Sequence, residues 1–348
     1  MNVLKQVLGI DVAKDELVVS LGRMHDDLSI EIYSSNVFPN KQSGFLSLIK
    51  WVNRLSETKI KVQFVMEATG VYHQKFAYFL DDNGYDLSIV LPNKISNYMR
   101  TLEIKTITDS SCSKAIAQFG LERKLDLWKK PNPLYKLLQQ LTRERDQIVS
   151  ERVAVKNQLH AEKSEAEPNK NSLKRLNARI IFLNKQEAEI KRDIKTCISN
   201  EKELKRDVDI ICSIPGVGEL TAVIVLAETN GFELIRNKKQ LVSYAGLDIK
   251  EKQSGTSVRG IPKISKRGNR TLRKSLHLPA ITSIKHNETH RDLYARIVSK
   301  NGIKMKGVVA VQRKILELIY TLHKNKTEFE RNHLKKESSH KVTASLTN

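Results

Sequence analysis

The chain has 348 residues, enough for two ordinary domains and a spacer, and its 40% apolar residues suffice for true cores. Sixty Lys and Arg against 39 Asp and Glu leave a formal charge of +21, of which +15 lies from Asp248 onward, where 23 basic residues face 8 acidic ones. That excess draws polyanions by counterion release, nucleic acid first and an anionic membrane surface second, while no apolar run nears the roughly 20 residues of a bilayer span.

In chain order, LKQVLGID, ELVVSLG and SIEIYSS read as three strands parted by brief polar turns. SGFLSLIKWVNRL follows as an amphipathic helix with Ser43 as its expected N-cap. VQFVM is a strand, VYHQKFAYFLDDNG a helix closing at Gly84, and YDLSIVLP a strand before the helix opened by ITDSSCSKAIAQFG. The order β-β-β-α-β-α-β-α over residues 1–125 is that of an RNase H-like fold.

From 134 to 208 the pattern changes. Leu134, Leu141, Ile148 and Val155 recur every seven residues, with Leu138 and Leu159 on the seam between them. After the turn cluster AEPNKN, a second seam runs through Leu173, Leu176, Ile180, Leu183, Ile190, Ile194, Cys197 and Leu204, with Glu187 and Glu201 in its two remaining positions. An antiparallel coiled-coil hairpin is expected, as a structural spacer or as a dimerisation arm. Beyond it, IPGVGELTAVIVLAE has the pattern of a helix-hairpin-helix turn, in which the backbone at Gly216 and Gly218 would hold a phosphate. KQSGTSVRGIPKISKRGNRTLRKSL is a basic, glycine-punctuated loop giving way to a helix near Arg270. The polar tail 331–348 is expected to be flexible.

Asp11 ends the first predicted strand and Glu67 the fourth. Those strands are neighbours in an RNase H-like sheet, so the two acids would lie side by side, with Asp109 approaching from the last helix. An acid at a strand end is ordinarily a cap or turn residue. Three at positions that one topology unites suit Mg²⁺, which needs hard oxygen ligands and negative charge. Ser254 in its basic loop is on its own a turn residue. Arg259, Lys263, Lys266, Arg267, Arg270 and Arg273 could, however, clamp a phosphate beside a nucleophilic hydroxyl. Cys112, Cys197 and Cys212 form no CxxC pair, which argues against disulfides or a zinc site; with no signal peptide at the start, a cytoplasmic setting is expected.

In combination, GIDVAKDEL, MEATGVY, TDSSCSKAIAQFG, SIPGVGELTA, LVSYAGLDI and QSGTSVRGIPKISKRGNRTLRKSL carry a resemblance over residues 5–325. They resemble the transposases of insertion-sequence family one-ten, the Piv/MooV-type DEDD recombinases guided by a bridge RNA. The resemblance implies a RuvC-like domain at 1–125, a coiled-coil hairpin at 126–208 and a mainly helical transposase domain at 209–330. It puts the first three tetrad acids on Asp11, Glu67 and Asp109, binding Mg²⁺ or Mn²⁺ in its place. It puts the catalytic serine, which forms a 5′-phosphoserine link to DNA, on Ser254. It further implies a homo-oligomer (dimer or tetramer) with composite sites, and a structured guide RNA that pairs with donor and target DNA.

The fourth tetrad acid should fall at position 112, where this chain has Cys112. A thiol is a soft, normally protonated ligand, so one hard ligand and one unit of charge are missing relative to the family. A weakened enzyme is expected; compensation by another acid and an inactive copy are the alternatives. A junction nuclease that hydrolyses with water, and a nucleic-acid-binding remnant without catalysis, are the rival functions.

Overall fold

The computed structural model describes residues 2–330 except 69, 103–105, 234, 252, 255–257 and 261, with the backbone alone for 253, 254, 258, 259 and 301. The expected flexible tail at 331–348 lies outside the described residues. The chain divides into two compact units, 1–130 and 131–348.

In the first unit, β1 (Val3–Val12), β2 (Glu16–His25) and β3 (Ile30–Pro39) form successive antiparallel ladders. Then come α1 (Gln42–Leu55), β4 (Val62–Glu67), α2 (Gln74–Asp82), β5 (Leu87–Val90), α3 (Pro92–Met99) and α4 (Asp109–Glu122). Strands β4 and β5 join parallel to β1, giving the order β3-β2-β1-β4-β5. This is an RNase H-like sheet. Its two faces follow from the period of two along a strand. Leu8, Ile10 and Val12 of β1 pack with Phe45, Leu48, Phe76 and Leu80 of α1 and α2. Val7 of β1, Val65 and Val90 pack on the other side with Ile95, Tyr98, Ile116 and Phe119 of α3 and α4.

Two details differ from the sequence reading. Helix α1 starts at Gln42 with Lys41 as N-cap, so Ser43 is not the cap. The Lys41 N–H bonds the Pro39 carbonyl at 2.8 Å, which turns the chain two residues early. Two helices, not one, follow β5, because Pro92 starts α3 at its first turn, where a missing N–H costs nothing.

The second unit is helical. Helices α5 (Pro133–Lys163) and α6 (Lys170–Asn200) are joined by a six-residue connection and pack through Leu138, Ile148, Val155, Leu183, Ile190 and Ile194. Glu187 occupies a buried position of that seam. Arg145 (2.8 Å), Lys191 (2.9 Å) and Arg152 converge on it. Burial opposes its charge, but Lys191, Arg152 and Arg145 overcome that and hold its pKa down to about 2. Glu201 does not occupy the seam. It is an exposed, extended residue between α6 and α7 (Lys202–Cys212), and Leu204 packs from α7.

The remaining helices are α8 (Glu219–Glu228), α9 (Lys238–Tyr244), α10 (Arg270–Ser275), α11 (His277–His286), α12 (Glu288–Asn301) and α13 (Lys304–Asn325). Val311, Ile315, Leu316 and Ile319 give α13 a fully buried stripe at the centre of this unit. Among the described residues between α9 and α10 lie four two-residue strands: β6 (Ile249–Lys250), β7 (Gln253–Ser254), β8 (Val258–Arg259) and β9 (Lys263–Ile264). Among the described residues, no helix is long and apolar enough to cross a membrane.

Candidate active site

Helix α4 is laid on the sheet by two glycines. A Cβ on Gly9 would stand 2.2 Å from the Ala117 nitrogen and 2.3 Å from the Ser113 oxygen, and a Cβ on Gly120 would strike Val7 and Val65. The helix therefore runs antiparallel along β1, with Val7 under Gly120 and Gly9 under Ala117 and Ser113. Continuing the period of two, Asp11 falls under the first turn of α4, the turn that holds Asp109 and Cys112. A buried hydrogen bond between the Ser20 and Ser113 hydroxyls (2.8 Å) fixes the same helix against β2. Thr108 begins it with a capping box: its hydroxyl accepts from the Ser111 N–H, and the Ser111 hydroxyl accepts from the Thr108 N–H. Asp109 is thus in the first turn, where a carboxylate favours the helix dipole.

Glu67 arrives by register. Ile10 pairs with Met66 across the parallel β1–β4 ladder, so Asp11 and Glu67 occupy the next rung and face the same side. Neighbouring strands lie about 4.8 Å apart. The consequence is electrostatic. Partial burial, then the Asp109 charge, then the Glu67 charge raise the Asp11 pKa to about 6. The Cys112 thiol is also pushed up, by burial and by Asp11, Glu67 and Asp109. All four expected tetrad positions therefore share one environment. Among the described residues no three His, Cys, Asp or Glu already stand close enough to hold one ion, yet Asp109 and Glu67 are near enough for their charges to act on Asp11.

The donor chemistry fits a divalent cation. Three carboxylates that repel one another gain from a hard cation among them, and Asp11, Glu67 and Asp109 would supply its oxygen ligands. Cys112 stands apart from them chemically, its Sγ lying 4.0 Å from the Met99 sulfur. A cavity of about 460 Å³ opens beside the acids, lined by Glu67, Asn93, Ser96, Met99, Arg100, Ile107 and Cys112. Asn93, Ser96 and Arg100 were not legible in the sequence. They come from α3 and the turn after it, which carry no motif.

The raised pKa carries a stability sign. The folded state binds the Asp11 proton more tightly than the unfolded state between about pH 4 and pH 6, so stability falls as pH rises through that window. Above it the penalty is fully present. Asp11→Asn is expected to stabilise the protein at pH 7.5 by about 1 kcal/mol, a figure discounted for partial exposure, and to give no gain near pH 3.5. Urea unfolding at the two pH values measures this; equal effects at both would mean the carboxylates do not sense one another.

The second unit carries the other expected site residues. β6 pairs with β9 and β7 with β8, both antiparallel, so the described residues of the basic loop read from the sequence include two short nested ladders. Ser254 pairs with Val258 as the last rung before residues 255–257, which lie outside the described residues, as do the side chains of Ser254 and Arg259. Lys263, Lys266, Arg267 and Arg270 are exposed around this hairpin. Arg273 is engaged differently. Its Nη1 donates to the carbonyls of Ala245 (2.8 Å) and Gly268 (3.1 Å), fixing the base of the hairpin.

Glu228, unnoticed in the sequence, anchors the same base. Its side chain is fully buried and accepts from Arg143 Nε and Nη2 (both 2.8 Å), Gln139 and Asn269 Nδ2 (2.7 Å). Asn269 in turn caps α10 through Leu272. No local pattern could reveal this set, because it unites α5, α8 and the residue before α10. Before the other end of α8, Gly216 has φ +91 and a Cβ there would crowd Pro279 and Ser283. Gly218 is the N-cap of α8 with open space about it, and Glu219 places a carboxylate in the first turn.

Comparison with known proteins accords with this layout. A DEDD transposase family model of the IS110 type matches residues 8–162, and the transposase IS116/IS110/IS902 family model matches residues 208–295. The pilin gene-inverting protein of Moraxella bovis is 26% identical over 332 residues, covering 94% of this chain and 98% of its own. The transposase for insertion sequence element IS1111A of Coxiella burnetii is 25% identical over 346 residues, covering 91% of this chain and 89% of its own. Among solved structures, T. thermophilus RuvC with a Holliday junction substrate covers 35% of this chain and 99% of its own at 8% identity; its TM-score of 0.27 is too low to bear on function. The acid-bearing sheet and the segment around the Ser254 hairpin thus each fall within a matched model, in family order, and the chain belongs to the IS110 family of transposases.

Proposed function

We propose that the protein cuts and rejoins DNA strands at the ends of its own insertion-sequence element, using a divalent cation and a covalent serine–DNA intermediate, with a structured RNA choosing the sites. The observation that supports this most is the convergence of Asp11, Glu67 and Asp109 beneath the first turn of α4. The relatives from Moraxella are named for inverting a pilin gene, which favours strand rejoining over simple hydrolysis. A bound Mg²⁺ would offset charge on the scissile phosphate. In this reading Asp11, Glu67 and Asp109 hold the cation. The Ser254 oxygen bonds to phosphorus as the bond to the 3′ oxygen breaks, leaving a 5′-phosphoserine and a free 3′-hydroxyl. Lys263, Lys266, Arg267 and Arg270 offset phosphate charge, and the backbone at Gly216 and Gly218 contacts a further phosphate. The assignment of 1–125, 126–208 and 209–330 as catalytic, coiled-coil and transposase domains, and assembly as a dimer or tetramer, belong to the same proposal.

A nicked suicide substrate carrying an element end tests it. A protein–DNA adduct stable to denaturant is expected, abolished by Ser254→Ala and reduced at least a hundredfold by Asp11→Asn. Cleaved products without any adduct would instead identify a hydrolytic junction nuclease. A second reading draws on Cys112. If the missing carboxylate leaves the cation unbound, the protein is a nucleic-acid-binding remnant, showing salt-sensitive binding and no cleavage even in high Mg²⁺ or Mn²⁺.

A further inference from the structure

Helix α3 separates two cavities. One is the cavity already described beside the acids, whose charged lining is Glu67 and Arg100. The other, of about 730 Å³, lies on the far side of α3 against the C-terminal end of α4, and Lys94, Tyr98, Phe119, Arg123 and Lys124 line it. Lys94, Arg123 and Lys124 are exposed, and among the described residues none of the three takes part in an ion pair. The Arg123 guanidinium stands 4.9 Å from the Phe119 ring centre and 5.8 Å from that of Tyr98. Those two rings are themselves packed edge-on at 5.2 Å. Arg123 is therefore supported from below, and an arginine so held offers its outer plane for stacking. The Tyr98 hydroxyl, in a residue only 6% exposed, is enclosed without a hydrogen bond of normal geometry, beside the Glu122 carboxylate and Arg123.

We infer that this groove is a second nucleic-acid site, binding an unpaired polynucleotide strand through its phosphates and one stacked base. Three exposed cations that among the described residues stand outside any ion pair select a polyanion. The supported guanidinium selects a strand whose base faces are free, which a duplex does not offer. The width of α3, about 10 Å, separates the groove from the acids, so a strand with one phosphate at Asp11 would lay a nearby nucleotide here. The inference rests on the reading of the acids as a nucleic-acid site, but binding can be measured without any chemistry.

Fluorescence anisotropy of the full chain in EDTA supplies the test, with labelled 12-nucleotide oligothymidylate, 12-nucleotide oligouridylate and a 12-base-pair duplex as probes. Removing all three charges with Lys94→Ala, Arg123→Ala and Lys124→Ala is expected to weaken single-strand binding at least tenfold. It should also lower the salt slope by about 2, at roughly 0.7 for each phosphate left without its cation. Tyr98→Phe, which deletes only the enclosed hydroxyl and keeps the ring beneath Arg123, should leave binding within twofold at an unchanged slope. A preference for the thymidylate or the uridylate would identify the strand as DNA or RNA, and either supports the site. The inference is overturned if the triple variant binds single strands within twofold of the native chain. It is also overturned if duplex binding drops equally, or if Lys50→Ala on α1 has the same effect. Failure of the adduct experiment with binding intact would overturn the serine chemistry and leave this groove standing.

Discussion

Gly9→Ala is expected to destabilise the first unit by about 2 kcal/mol net, starting from an overpacking cost of about 3 kcal/mol, the upper end for such changes. The added methyl would meet main-chain atoms of Ala117 and Ser113, which cannot rotate away as a side chain would. Alanine recovers part of this, about 1 kcal/mol, because glycine is a poor strand residue, so the net change measured by urea unfolding should be near 2 kcal/mol. A helix displaced from β1 also carries Asp109 and Cys112 away from Asp11. The Asp11 pKa, followed by NMR in the folded variant, should therefore fall back toward 4. A variant as stable as the native chain, with the Asp11 pKa still near 6, would mean that α4 does not rest on Gly9.

Cys112→Asp should have the second large effect, and its sign depends on the cation. Without metal, a fourth carboxylate in a field that already raises Asp11 costs about 1 kcal/mol of stability. With metal the balance reverses. A fourth hard ligand is expected to tighten Mg²⁺ binding about tenfold by calorimetry, and at a hundred times the dissociation constant the cation adds about 2.7 kcal/mol. Mg²⁺-dependent strand exchange should rise with it. Unchanged or weaker Mg²⁺ binding would show that position 112 is not a ligand position, whatever its place on the helix.

The acidic half of the site was legible because it depends on short-range rules. Alternation along VLGID puts Gly9 and Asp11 on one face, a parallel neighbour puts Glu67 beside Asp11, and the Thr108 capping box starts α4 where TDSSC indicates. The glycine inside that strand was itself a signal of close backbone approach, though its partner helix was not deducible from it. What could not be read rests on contacts between distant segments. Glu228 is an ordinary helix-ending glutamate until Arg143 and Asn269, 85 and 41 residues away, close on it. Likewise the rungs that pair Ser254 with Val258 are two residues long, too short to leave a periodic trace among glycines and lysines. Glu201 misled for a different reason: heptad spacing continues in α7, but the chain has already bent, and spacing alone does not register a bend.

Glu187 has a bearing on how this chain tolerates changes of length. Each arm of the hairpin is 31 residues, about 46 Å of rod. Deleting one residue from either rod would swing everything beyond it by 100° and leave a buried anion facing leucine instead of Arg145 and Arg152. Removing seven from one rod alone would slide it by two turns with the same outcome. Only matched losses of seven from both rods, beyond the ion cluster toward the connecting turn, keep the charges together, so the span of this strut is held to whole, paired steps.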